Sequence, residues 1–258
     1  MRWILLIVVL AAIGLNGCNP GTSNTNENAN ANANRADFKP PPPLKPSQAV
    51  DPAFKTCNPY FPLVPGSIAK YVINYSSGIT GDLTVVVEAA DEDGQKVFTQ
   101  RSQLVDRSGG MQITQSIIRK FVCDGSAVRI LSEKTESNIA GQLSDVDFDY
   151  REGAVVMSDP DSLSRKGTTW THTFRTVYHN PGRPPSRSDL PTSVTSEVAG
   201  PEEVTIGVGT FKAIKITRKI GQNGTTDYYA AGLGLVKRDS IEGTKWEMKE
   251  FSGLKPLD

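Results

Sequence analysis

The stretch Leu83–Val105, LTVVVEAADEDGQKVFTQRSQLV, decides the fold. Two runs rich in Val, Leu, Phe and Thr flank Asp93-Gly94. An Asp-Gly pair between apolar runs is a strong hairpin signal, because the tight turn needs positive φ at its centre. The second run is also the chain's best competitor for a helix, since nothing from Gln95 to Val105 forbids one. Outward from this hairpin the same grammar repeats. Ser67–Tyr75 reads as a strand that stops at Ser76-Ser77-Gly78. Gly109-Gly110 precedes a strand over Gln112–Cys123, and Asp124-Gly125 turns into Ala127–Lys134. Val146, Phe148 and Tyr150 alternate with Asp145, Asp147 and Asp149, the period-two pattern of a half-buried strand. Trp170–His179, Thr192–Ile206, Phe211–Ile220, Thr226–Ala230, Gly234–Asp239 and Lys245–Phe251 complete the run. A Pro/Gly/Arg/Ser loop over Asn180–Pro191 is its longest break.

A sheet that grows beyond about ten strands must curl, split or close. Residues 53–258 are therefore expected to form an all-β domain, a single large and strongly curved antiparallel sheet of half-barrel or open-barrel form. A two-sheet sandwich is the next choice. No repeat period marks a solenoid or propeller.

Ahead of this domain stand two segments expected to lie outside its fold. Arg2 precedes an almost wholly apolar run from Trp3 to Leu15. That run is shorter than the roughly 20 residues of a membrane span and suits the core of an export signal, about 7–15 residues. It ends in Leu15-Asn16-Gly17-Cys18, which resembles the bacterial lipobox, although Asn16 is a less usual occupant. The resemblance implies a signal peptide over residues 1–17, cleavage after Gly17, diacylglycerol on the Cys18 sulfur and acylation of the new amino group, palmitate being the usual chain. Two or three acyl chains anchor durably where one does not. Asn19, where the enterobacterial sorting rule reads Asp as retention in the inner membrane, implies the periplasmic face of the outer membrane. The expected location is thus the cell envelope, with the membrane as first partner. Residues 18–52 hold an Asn/Ala tract and Lys39-Pro-Pro-Pro-Pro-Leu-Lys-Pro46, low-complexity sequence that reads as a disordered, partly polyproline tether.

Export also frames the cysteines. With Cys18 committed to lipid, Cys57 and Cys123 remain, and an even pair in an oxidising compartment is a disulfide candidate. Two separate thiols are the alternative. The charge is balanced, 28 basic against 28 acidic residues, which gives no electrostatic footprint for nucleic acid.

Two patches resemble a group of uncharacterised exported bacterial proteins. One is Tyr60-Phe61-Pro62-Leu63-Val64-Pro65-Gly66. The other pairs Gly209-Thr210-Phe211-Lys212-Ala213-Ile214-Lys215-Ile216 with Tyr228-Tyr229-Ala230-Ala231-Gly232-Leu233-Gly234-Leu235-Val236-Lys237. Ala231 and Leu233 replace the Pro and Val of that group's outline. The resemblance covers the ends of the domain and leaves residues 80–200 without support. It implies a curved sheet distantly similar to the lipoprotein carriers LolA and LolB, which hold acyl chains in a concave face, and it offers no catalytic residues to carry over.

The chemistry legible in the residues is sparse. His172 and His179 lie an odd number apart on one expected strand, hence on opposite faces, which disfavours a shared metal. No nucleophile or zinc-hydrolase motif is present. Asp145, Asp147 and Asp149 share a face and offer hard oxygens, but without a calcium loop they read as a solvated face. The expectation is a non-enzymatic protein without metal or cofactor. Tyr71, Tyr75, Trp170, Phe174, Tyr178 and Phe211 are the aromatic candidates for lining a cavity, and Tyr229 opens a candidate ligand loop to Gly234. An apolar ligand, such as a lipid or acyl chain, or an envelope protein docked on the sheet, are the two expected partners.

Overall fold

The computed structural model describes residues 41–106, 113–139, 142–179 and 184–257. The export segment, Cys18, the Asn/Ala tract, the Gly109-Gly110 turn and Asn180–Arg183 lie outside these. In chain order the elements are β1 (Ile68–Asn74), β2 (Thr80–Glu92), β3 (Gln95–Asp106), β4 (Ile113–Asp124), β5 (Ala127–Ile139), β6 (Gln142–Met157), α1 (Pro160–Leu163), β7 (Thr169–His179), β8 (Ser186–Arg187), β9 (Thr192–Ile206), β10 (Gly209–Ile220), β11 (Asn223–Ala230), β12 (Gly234–Ser240) and β13 (Lys245–Ser252).

The domain is all-β, and its one strongly curved antiparallel sheet curls until its edges meet. Each long strand pairs with its neighbour in sequence, β13 returns to β1, and β6 reaches β7. Twelve strands thereby form a barrel, while the two-residue β8 lies against β7. Closure removes the two unpaired edges that an open sheet would present. The leading hairpin stands as read: Gln95–Asp106 is a strand, and its turn holds Asp93 and Gly94 at φ 51° and 79°.

Alternation sorts the side chains. Ile73, Leu83, Leu104, Ile117, Phe148, Phe174, Val194, Val198, Ile216 and Met248 face inward and are buried. The outer face carries cross-strand ion pairs, among them Lys70–Glu250, Lys249–Asp82 and Lys120–Glu92. Such exposed pairs contribute at most about 1 kcal/mol each. A paired-charge outer face differs from the apolar outer band of a barrel that spans lipid.

One end of the barrel is capped. Cys57 is disulfide-bonded to Cys123 at the tip of β4. Asn58 donates from its amide to Ser126 O and Ser158 O, both at 2.8 Å. Phe61 meets Phe121 edge-on, and Leu63 is buried beneath. The patches Tyr60–Gly66 and Tyr228–Lys237 meet here, with Pro62 against Gly234, and the Gly232 N–H donates to the adjoining Pro59 O at 2.7 Å. A Cβ on Gly232 would lie 1.9 Å from Lys255 O, so glycine is required for this close approach. The Ala231–Gly234 turn is thus part of the cap, packed under Pro59–Pro62 and the C-terminal segment.

Contact with the barrel begins before residue 53. Beyond the β1 pairing, β2 has a free edge, and the Gln48 side chain completes it by accepting from Ala89 N and donating to Ala89 O. Glu88 accepts from Ser47 N and from Arg101, and Gln103 donates to Pro42 O.

Candidate lumenal site

The closing seam is only half zipped. β6 and β7 share a ladder from Asp145–His179 to Asp149–Arg175 and none beyond it. The cause lies on the other side of β6. Ile130 of β5 faces Ala154 while Ser132 faces Asp149, so Tyr150–Gly153 bulge out of register. Gly153, at φ 70°, supports that bulge. Side chains take over where the ladder stops. Arg218, reaching across from β10, donates to Val156 O at 3.4 Å. Phe174 packs against Phe148 and Tyr150, with ring centroids 5.3 and 5.5 Å apart.

Behind this seam the barrel interior carries charge. The Asp227 carboxylate, 0% exposed, accepts from Arg238 at 2.6 and 2.8 Å and from the Tyr229 hydroxyl at 3.2 Å. Arg218 donates to the Tyr229 hydroxyl at 2.9 Å, and its Nε stands 3.1 Å from Asp227 Oδ2. Arg238 also covers the Trp246 ring at 4.9 Å. A second pair, Arg119–Glu133, is bidentate at 2.8 and 3.2 Å, and the Tyr150 hydroxyl donates to Glu133 at 3.4 Å. Asp106 is a further buried acid toward the far end of β3. Register makes these one belt: Arg119 faces Glu133, Ser196 faces Arg218, and Asp227 faces Arg238 on adjoining strands.

The electrostatics follow from burial and pairing. Burial pushes the Asp227 carboxyl up, but Arg238, Arg218 and the Tyr229 hydroxyl outweigh it and hold the group below the ordinary carboxylate range. Burial, opposed by Arg218, raises the Tyr229 phenol to about 12. Burial, reinforced by the Arg218 charge, lowers His172 to about 4, so its ring is neutral at physiological pH.

Three buried polar atoms beside the seam have no hydrogen-bond partner among the described residues, Trp170 Nε1, His172 Nδ1 and Ser196 Oγ, while Arg218 Nε is held by its ion pair with Asp227. Trp170 lies opposite Ser196 and Ser196 opposite Arg218, with His172 two residues along on the same face. Each unmet group costs about 1–3 kcal/mol, so this corner of the barrel is under-satisfied.

The aromatic candidates all sit on lumen-facing positions apart from Phe211, which covers Gly209 at the β9–β10 turn. They do not form one cluster. Tyr71, donating to Leu235 O at 2.9 Å, and Tyr229 belong to the charged belt. Trp170 and Phe174 line the seam. Tyr75 and Tyr178 stand toward the far end and are half-buried. The candidate acidic face is outward: Asp145 meets Lys134, Asp147 meets His179, and Asp149 meets Arg187. Each carboxylate therefore has its own basic partner, and among the described residues no cluster suits a metal. The belt itself escaped the sequence reading. Its signal was present: Ile214, Ile216, Arg218 and Ile220 fall at period two, which sets an arginine in an aliphatic inward row.

Compared with known proteins, the chain matches no family, no curated protein and no solved structure. The barrel and its lumen carry the functional argument by themselves.

Proposed function

We propose that this protein is a lipid-anchored envelope protein whose barrel binds an apolar ligand, a lipid or acyl chain, without bond chemistry. The observation that carries the reading is the lumen beside the half-zipped seam. There an aromatic row, Phe148, Tyr150 and Phe174, meets polar atoms that the chain itself leaves unmet. Barrel width is in keeping with it. Eight strands enclose a space that side chains just fill, and this ring has twelve. The lipobox at Leu15–Cys18 supplies the tether, and the Cys57–Cys123 bridge suits an oxidising compartment. Membrane-purified protein, washed and extracted with organic solvent, should yield a stoichiometric acyl-bearing compound by mass spectrometry. A protein that emerges empty and takes up no fluorescent fatty acid counts against the reading.

A second reading, docking of an envelope protein partner, has its own support. Leu143, Leu190 and Ile241, 73%, 79% and 73% exposed, all lie at the end of the barrel opposite the cap. That reading predicts crosslinks from these positions to one dominant envelope protein and no lipid load.

A further inference from the structure

We infer that residues 42–50 strap the tether to the side of the barrel, so that the end opposite the cap faces the bilayer and Leu143, Leu190 and Ile241 enter its headgroup region. This rests on the lipid-anchor part of the reading above and assigns the surface that meets the membrane.

The strap reverses the chain. Followed back from the cap toward the N-terminus, Gln48 bonds the Ala89 backbone, Ser47 N donates to Glu88, Lys45 O accepts from Arg101 and Pro42 O accepts from Gln103. Ala89 is level with Phe98, so these contacts descend β3 from Phe98 to Gln103, close to its far end at Asp106. The path is a built one. A Cβ on Gly66 would lie 2.7 Å from the Ala49 backbone, and one on Gly253 would lie 2.5 Å from Val50 Cγ2, so two glycines clear the way. Val86 faces outward opposite Arg101 yet is 0% exposed, covered where the strap bonds Arg101 and Glu88. Pro42, Pro43 and Pro46 fix φ along it and stiffen it.

Where the chain leaves decides which end meets lipid. Without the strap it would leave at Cys57, bonded to Cys123 at the cap. Cys123 lies two residues beyond the Phe121–Phe98 pair, so Gln103 is about 20 Å further along the wall at about 3.4 Å per residue. A coil of the length of residues 19–41 reaches about 25 Å root-mean-square toward Cys18. The two lengths are comparable, so release near Gln103 brings the far end to the membrane and keeps the cap away. That end is also the apolar one. Among the described residues the three most exposed large apolar side chains are Leu143 at the start of β6, Leu190 before β9 and Ile241 in the β12–β13 turn. A lone exposed leucine carries no meaning, but these three share an end with the point of release. β3, β6 and β12 are spaced around the ring, so tether and apolar side chains support the barrel on several sides.

The test uses the whole mature chain with its anchor, reconstituted into phosphatidylcholine vesicles with or without bromine high on the acyl chains. Leu190→Trp and Ile241→Trp each add a reporter to the background of Trp170 and Trp246. Bromolipid should quench about half of the added fluorescence at both positions, and none at Lys212→Trp beside the β9–β10 turn at the cap end. Leu143→Ser with Leu190→Ser should at least halve the quenching at Ile241→Trp. Exchange of residues 42–48 for a Gly/Ser stretch of equal length moves the point of release toward Val50, and should likewise halve the far-end signal. Quenching equal at both ends, or unchanged in either of these last two variants, overturns the inference. A chain that floats with vesicles while its far end stays unquenched also overturns it and leaves the anchor standing, and crosslinks from that end to one envelope protein would then assign it to a protein partner. A chain that does not float with vesicles refutes the anchor itself.

Discussion

Changing Asp227 to Asn keeps the shape of the side chain and removes the one negative charge that two buried guanidinium groups share. Asp227 is 0% exposed, with Arg238 at 2.6 Å and Arg218 at 3.1 Å. The amide cannot neutralise either, and breaking a buried ion pair from one side costs about 3–5 kcal/mol. For a chain of this size each kcal/mol moves the melting temperature by about 2–4 °C, so a fall of roughly 6–20 °C is expected. The pH dependence has a definite sign. The folded Asp227 titrates below its unfolded value near 3.9, so its contribution is complete above about pH 5 and disappears as pH falls through the folded pKa. Urea unfolding from pH 3 to 8 should therefore show a constant gap between parent and variant at neutral pH that narrows in acid. Asp227→Asn combined with Arg238→Met removes one orphaned cation and should recover at least half of the loss. A single variant within about 1 kcal/mol of the parent at pH 7 would refute the claim that this carboxylate holds the lumen together.

Three more outcomes follow from the cap and the seam. Reduction of Cys57–Cys123, or its replacement by paired serines, should cost about 4 kcal/mol for a closed loop of this length, read by urea midpoints with and without reductant. Gly232→Ala should free the C-terminal segment, because its Cβ meets Lys255 O; faster amide exchange over Leu254–Leu257 is the readout, and unchanged exchange contradicts it. His172 should not titrate between pH 5 and 8 by NMR, and its depressed pKa makes stability fall as pH drops from about 6.5 toward 4, a dependence that His172→Phe should flatten.

The fold was largely legible because turn chemistry is local. Asp93-Gly94 and Asp124-Gly125 mark hairpins wherever they occur, and alternation over Val146–Tyr150 names a strand without a partner. Closure was not legible, since it depends on Asp145–Asp149 finding Arg175–His179 far along the chain. The end of β5 was also understated: polar Thr135–Asn138 hides the period that carries the strand to Ile139. In the site, the aromatics announced themselves by type, and their lumen-facing positions follow from parity. Which aromatics share a corner follows from the Tyr150–Gly153 bulge, which no local pattern declares. The charged belt was missed for the opposite reason. Arg218 and Asp227 look like surface residues until register sets them facing inward on neighbouring strands.

The central claim is that an acyl chain lies inside this barrel. A diazirine-bearing fatty acid, photoactivated on the mature protein and mapped by peptide mass spectrometry, addresses it directly. Labels should concentrate on inward positions of β6 and β7, Phe148, Tyr150 and Phe174 among them. Labels confined to outward residues such as Thr171 and Thr195, or no saturable labelling at all, would contradict it.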